Sequence, residues 1–160
     1  MSGEMQSKHL FLVPHGEAGS EGVDADPPLT DRGIAEVTAI AKFAAEHLEV
    51  RPSRLLHCGR TRTRQTAEIW GESLRVPPRV GAGLGPDGDL VPLLERVCYT
   101  SSELMLIGHS LQLGRLVTML LGTAKESGGL AFAPGALVGL DQTTGAGWEV
   151  ALVLPPTAVK

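Results

Sequence analysis

The sequence of 160 residues has no uninterrupted apolar run that approaches the ~20 residues of a membrane-spanning helix. It also has no excess of positive charge, because 14 lysines and arginines face 18 aspartates and glutamates, for a net charge of −4. Such a chain lacks the positive field that draws proteins to nucleic acids or anionic lipids. We therefore expect a soluble protein that binds neither nucleic acid nor membranes, and any anion site must be local.

Cysteine is scarce as well. Cys58 and Cys98 are the only two, and they form neither a metal-ligand spacing nor a redox motif. The polar N-terminus has neither the basic start nor the apolar segment of a secretory signal. These features predict a disordered tail over residues 1–8 and a protein of the reducing cytoplasm.

The chain does contain enough apolar material for one core. Hydrophobic residues make up 42% of it, and the mean hydropathy is +0.08. At ~100–200 residues per domain, this length predicts a single domain, which we assign to residues 9–156. No internal repeat or linker interrupts it.

Short apolar segments alternate with longer amphipathic ones. We predict strands at 9–13, 55–58, 103–107, 136–140 and 148–154. Helices are predicted at 31–48, 61–74, 90–99 and 111–121, and residues 76–89 are expected to be largely loop. The alternation predicts a three-layer α/β domain, with helices on both faces of a mostly parallel sheet and a C-terminal antiparallel pair.

The first predicted helix has a clear start and an apolar stripe. Thr30 can cap its N-terminus, and Asp31 is favoured in its first turn by the helix dipole. Apolar residues then recur at helical spacing, which predicts the buried face. That face consists of Ile34, Val37, Ala41, Ala44 and Leu48.

Candidate site residues follow the first three predicted strands. Ligands of open α/β sheets bind beyond the carboxyl ends of the strands. His15, His109 and an arginine cluster occupy those positions, and the cluster consists of Arg60, Arg62 and Arg64. Guanidinium groups match phosphate oxygens, and histidine is a competent nucleophile, so the set suggests a phosphate site. Taken singly, each residue could equally be an ordinary loop histidine or a solvated arginine.

Four segments resemble the histidine phosphatase superfamily, in the order and spacing of that family. Residues 10–18 are similar to its Leu-Val-Arg-His-Gly-Glu-Ala segment, and residues 28–33 to its Pro-Leu-Thr-x-x-Gly segment. Residues 62–67 and 106–110 are similar to its Arg-Ala-x-Gln-Thr-Ala and Val-Gly-His segments. The short chain looks most like the small SixA-type phosphohistidine phosphatases of bacteria, which implies a phosphoglycerate mutase-like fold.

The resemblance implies a role for each matched residue. His15 would be the nucleophile, Arg62 and Gly16 would bind the phosphoryl group, and His109 would donate to it in the transition state. Asp87 or Asp89 lies where the family has an acid or a substrate-contacting residue, and both could instead serve turn chemistry. Arginine and imidazole need no metal, so no metal and no other cofactor is expected.

Two arginines of the family pattern are absent. Their positions hold Pro14, directly before His15, and Pro27, directly before the Pro-Leu-Thr segment. At ~1.5–3 kcal/mol for each charge-assisted contact, losing both costs about 3–6 kcal/mol, or roughly 10²–10⁴ in rate. Arg60 and Arg32 are candidate replacements, although each could be an ordinary surface residue.

The sequence therefore predicts a phosphatase that removes a phosphoryl group, from phosphohistidine on a partner protein, through a phosphohistidine intermediate at His15. Its activity is expected to be weak. The alternative is a non-catalytic phosphate- or phosphoprotein-binding protein, and a third reading is a small-molecule phosphomonoesterase or mutase. The expected partners are a phosphorylated protein or small phosphate compound, and inorganic phosphate.

Overall fold

A computed structural model describes residues 8–20, 25–122, 132–143, 145 and 147–159. Of the expected N-terminal tail, residues 1–7 lie outside the described residues. Lys8 lies directly before the first strand, and its Nζ donates to the carbonyl oxygens of Val97 at 2.6 Å and Thr100 at 2.8 Å.

Strands and helices alternate along the described chain. The strands are β1 (His9–Pro14), β2 (Arg54–His57), β3 (Pro78–Val80), β4 (Leu104–Gly108), β5 (Leu137–Gln142) and β6 (Trp148–Leu154). The helices are α1 (Asp31–His47), α2 (Thr61–Leu74), α3 (Leu90–Tyr99) and α4 (Ser110–Leu121), followed near the C-terminus by a 3₁₀ turn, Pro156–Ala158. Over the residues described, none of these helices is long and apolar enough to cross a membrane.

All six strands form one mixed sheet, in the order β3-β2-β4-β1-β5-β6. β3, β2, β4 and β1 pair in parallel, whereas β5 and β6 add an antiparallel pair at the β1 side. This arrangement confirms the predicted α/β fold. β1, β4 and β2 are neighbours, so their carboxyl ends lie side by side.

Each face of the sheet is covered by two helices because successive strand residues point to opposite sides. Leu10 and Leu12 of β1 pack into a core cluster with residues of α3 and α4. Phe11 and Val13 pack into a second cluster with residues of α1 and α2. The unbroken apolar run in β1 is therefore the pattern of a strand buried on both faces.

One expectation about the buried face of α1 was wrong, and one short strand was missed in a segment that is otherwise loop, as expected. Ile34 is 40% exposed, whereas Ile40, which was not assigned to the buried face of α1, is fully buried. Gly33, in the first turn of α1, packs against the backbone of Glu17. The side chain of the neighbouring Ile34 lies at the edge of the core and is partly exposed to solvent. The segment 76–89 also contains the edge strand β3, whose proline-rich sequence masked a strand of only three residues.

The start of α1 holds the loop that follows β1. Thr30 caps the helix, because its side chain accepts from the Gly33 amide at 3.0 Å, and its own amide donates to the Glu17 carbonyl at 2.9 Å. A Cβ added to Gly33 would overlap the Glu17 carbonyl oxygen and lie 3.0 Å from the carbonyl carbon. Glycine is required here by close approach of two backbone segments.

We expect Gly33→Ala to lower the free energy of unfolding by about 1–3 kcal/mol, since neither backbone segment can rotate away from the added methyl. The higher helix propensity of alanine, worth about 1 kcal/mol, opposes only part of this loss. Urea unfolding measures the change. Gly85→Ala is the matched control, because a Cβ there meets nothing within 4 Å. Equal stability of Gly33→Ala and wild type would contradict the packing described.

Candidate active site

The site lies where β1 and β4 end side by side. Their register pairs Pro14 with Gly108, and the His15 amide continues the pairing by donating to the Gly108 carbonyl at 2.9 Å. His15 and His109 are therefore the next residues of two adjacent strands. Their rings meet edge to face, with centroids 5.2 Å apart and planes at 73°.

The His15 ring is held in one tautomer by its own backbone. Nδ1 lies 2.8 Å from the carbonyl oxygen of Gly16, and a carbonyl only accepts, so Nδ1 carries the hydrogen. The lone pair of neutral His15 is then on Nε2. Arg62 Nε donates to this Nε2 at 3.3 Å, which agrees with the same tautomer. The ring thus presents a nitrogen lone pair beside a guanidinium group.

Arg62 is positioned by the first turn of α2. It is only 5% exposed, and Thr66 donates to its carbonyl oxygen at 2.8 Å. The same Thr66 hydroxyl oxygen accepts from the Gly16 amide at 3.0 Å. Thr66 therefore joins α2 to the loop after β1, so Arg62 and His15 are located by one connected set of hydrogen bonds.

These residues line an open pocket of about 660 Å³. Its wall contains both histidines, two arginines, two carboxylates and small or cyclic residues. The lining residues are His15, Glu17, Ala18, Gly19, Pro27, Arg60, Arg62, Pro86, Asp87, His109 and Pro134. The structure thus brings His15, Arg60, Arg62, Asp87 and His109 together at one surface.

Asp26, a carboxylate that sequence reasoning missed, offsets positive charge at the N-terminus of α2. Asp26 accepts from the Thr61 amide at 2.9 Å and from the Thr61 hydroxyl at 2.7 Å. These two hydrogen bonds, followed by the charges of Arg60 and Arg62, lower the pKa of the Asp26 carboxyl. Asp26 thus offsets the unfavourable placement of arginines at a helix N-terminus.

Three residues that the sequence suggested for the site lie elsewhere or serve another contact. Arg32 is exposed and its Nε lies 3.6 Å from Glu36. Asp89 caps α3 by accepting from the Val91 amide at 3.0 Å. Gly16 is buried beside the pocket, and its amide N–H donates to the Thr66 hydroxyl oxygen.

Glu17 and His57 have structural contacts. The Glu17 carboxylate accepts from the Thr30 hydroxyl at 2.8 Å, so Gly16 rather than Glu17 orients the His15 ring. His57 ends β2, and its Nδ1 accepts from the Gly59 amide at 3.0 Å. Burial, and then the charge of Arg64, lower the pKa of His57, which favours the neutral ring.

Cys58 is a second residue that the sequence did not suggest for the site. Its Sγ lies 3.2 Å from the Thr63 hydroxyl and 3.6 Å from His109 Nε2. A cysteine directly after a central strand could have been noticed as a pocket neighbour, but only the structure shows its contact with His109.

A separate cleft of about 420 Å³ lies between β3 and α3. Its charged lining residues are Arg54, Arg79 and Arg96. The cleft contains none of the residues that the sequence suggested for catalysis.

Comparison with known proteins identifies the class of this site. Residues 10–85 match the model of the histidine phosphatase superfamily (branch 1), a segment that contains His15, Arg60 and Arg62. No sequence among curated proteins matches the chain. The matched residues include three of the four segments whose sequence resembles this family, namely 10–18, 28–33 and 62–67, whereas the segment 106–110 lies beyond them.

Several solved structures of SixA proteins share this fold. The protein histidine phosphatase SixA complexed with tungstate superimposes with a TM-score of 0.82 at 23% identity, covering 95% of this chain and 99% of that one. A SixA protein from Agrobacterium tumefaciens, assigned as a phosphohistidine phosphatase, gives 0.74 at 25% identity, with 93% and 98% covered. A third, from Nakamurella multipartitia, gives 0.75 at 26% identity, with 96% and 98% covered.

Over residues 10–85 the chain resembles the histidine phosphatase superfamily, and its fold is that of the SixA phosphohistidine phosphatases. These likenesses support a phosphatase that acts on a phosphorylated substrate.

Proposed function

We propose that the protein is a phosphohistidine phosphatase that forms a phosphohistidine intermediate at His15. The observation that carries the proposal is the state of the His15 ring. Its Nδ1 hydrogen is held by the Gly16 carbonyl, and its Nε2 lone pair faces Arg62 in an open pocket. A nucleophile with an adjacent cation is the arrangement that phosphoryl transfer requires.

In the first half of the reaction, His15 Nε2 forms a bond to phosphorus as the bond to the leaving group breaks. Arg62 exchanges its contact with Nε2 for the phosphoryl oxygens, and Arg60 and His109 donate to the same group. These donors neutralise the charge that builds on the oxygens. When the leaving group is a histidine of another protein, it departs as a neutral imidazole after protonation of its ring nitrogen.

In the second half, water attacks the phosphorus atom and His15 leaves as imidazole, releasing inorganic phosphate. Asp87 is the carboxyl group of the pocket best suited to exchange protons with the leaving group and the water. It lines the pocket, whereas Asp89 is engaged as a helix cap. Glu17 also lines the pocket, but its carboxylate is bonded to Thr30.

The pocket walls support a protein-borne phosphoryl group as the substrate. Apart from the charged and histidine side chains, the lining residues are an alanine, a glycine and three prolines. Over the described part of the wall there is thus no large aromatic or aliphatic side chain, the type that holds small organic ligands in specific pockets. A pocket that is open to solvent and has arginines in its wall suits a phosphorylated side chain presented by a partner protein.

We expect a radiolabelled phosphohistidine peptide to transfer its label to His15, giving an adduct that survives alkali and is lost in acid. His15→Ala should form no adduct, and its turnover should fall by about three orders of magnitude or more because the nucleophile is removed. His47→Ala, at an exposed histidine at the end of α1, is the matched control. Full turnover in His15→Ala, or label on another residue, would refute the mechanism.

Arg60 is the arginine that the geometry favours as a replacement for the two that the family pattern lacks. It lines the pocket beside Arg62, whereas Arg32 is exposed and paired with Glu36. We expect Arg60→Ala to lower kcat/KM about 10- to 100-fold, the value of one charge-assisted contact. Arg32→Ala should leave kcat/KM unchanged. Equal effects of the two substitutions would exclude this role for Arg60.

The second candidate function is a phosphate-binding protein without turnover. Pro27 favours it, because this residue lines the pocket wall where an arginine would otherwise contribute a cation. This alternative predicts that wild type binds inorganic phosphate and the phosphohistidine peptide without releasing phosphate. It also predicts that Pro27→Arg gains turnover, which a phosphate-release assay measures. Turnover by wild type would eliminate the alternative.

A further inference from the structure

Cys58 lies at the junction of β2, α2 and the second histidine. It directly follows β2, whose neighbour β4 leads to His109. Its Sγ contacts the hydroxyl oxygen of buried Thr63 at 3.2 Å and Nε2 of His109 at 3.6 Å. The thiol is half-buried, and it packs against the core cluster on the α3 and α4 side of the sheet.

The direction of each hydrogen bond in this group follows from counting donors. The Thr63 hydroxyl donates its one hydrogen to the Arg60 carbonyl oxygen at 2.9 Å. Its oxygen can therefore only accept from Cys58, which uses the one hydrogen of the thiol. The remaining contact of the sulfur is with His109, so Nε2 of His109 must be the donor.

We propose that Cys58 is a positioning residue that keeps His109 in the tautomer with hydrogen on Nε2 and limits rotation of its ring. The chain of donors runs from His109 through Cys58 and Thr63 to the backbone of Arg60. The inference rests on the proposed function, in which His109 donates to the phosphoryl group. Without this contact, the two neutral tautomers of His109 would differ less in free energy.

The choice of sulfur suits such a role. A thiol sulfur is a weak acceptor, so it orients the N–H without competing strongly for it. A phosphoryl oxygen is charged and accepts a much stronger hydrogen bond. The Nε2–H of His109 therefore readily exchanges its hydrogen bond to sulfur for one to the phosphoryl oxygen. Cys58 itself need not touch the phosphoryl group.

Two substitutions of Cys58 test the proposal. Cys58→Ala removes the acceptor, and Cys58→Val removes it while filling more of the volume beside the core, should the alanine variant not fold. Cys58→Ser retains a donor and an acceptor and serves as the conservative rescue. Cys98→Ala is the matched control, because this second cysteine is exposed on α3.

The first measurement needs no substrate. Nitrogen-15 NMR of labelled histidine should show His109 protonated on Nε2 in wild type, Cys58→Ser and Cys98→Ala. In Cys58→Ala or Cys58→Val, the His109 signals should move toward a mixture of tautomers. An unchanged His109 tautomer in these variants, or hydrogen on Nδ1 in wild type, would overturn the proposal.

The second measurement is turnover of a phosphohistidine peptide. We expect kcat to fall about 10-fold in Cys58→Ala with little change in KM, since a mispositioned donor costs less than a deleted one. Cys58→Ser should recover most of the loss. An equal kcat loss in Cys98→Ala and Cys58→Ala would also overturn it. If wild type shows no turnover, the proposed function fails, and the NMR result still decides the role of Cys58.

Discussion

The hydrogen bond from the His15 amide to the Gly108 carbonyl oxygen connects the core to the site. It continues the parallel pairing of β1 with β4 by one residue, so the two histidines emerge side by side. The register is enforced by the core, because a slip of one residue would turn Leu10 and Leu12 toward the opposite face. The same strand register therefore both buries the apolar residues of β1 and places His15 beside His109.

Positive charge is concentrated beside the adjacent ends of β1 and β4, although the chain as a whole has a net charge of −4. Arg60 and Arg62 come from the start of α2, and His109 directly precedes the N-terminus of α4, where the helix dipole favours an anion. Asp26 offsets part of this charge, but it is bonded to Thr61 and does not line the pocket. The two arginines support the proposed phosphoryl site, whose wall also contains the carboxylates of Glu17 and Asp87.

Much of the fold could be predicted from local pattern. The bounds of α2 and α3 agree with the predicted ones, because residues recur at helical spacing within them and the segment 76–89, rich in proline and glycine, separates them. β3 was missed because Pro77 and Gly81 flank it, Pro78 is its first residue, and among the described strands it pairs with β2 alone. Ile34 was misassigned because periodicity describes a helix face but not how far along the helix the sheet extends.

The sequence by itself determined that His15, Arg62 and His109 follow strands whose ends meet in an α/β sheet, and it thereby predicted them as candidates for phosphoryl transfer. It could not choose between Arg60 and Arg32, nor assign the tautomer of His15. Tertiary structure placed Arg60 in the pocket wall and Arg32 beside Glu36, assigned the tautomer of His15, and revealed the contacts of Asp26 and Cys58. The physical reason is separation along the chain. The Arg62–His15, Thr61–Asp26 and Cys58–His109 contacts join residues 47, 35 and 51 positions apart, and no local periodicity encodes such distances.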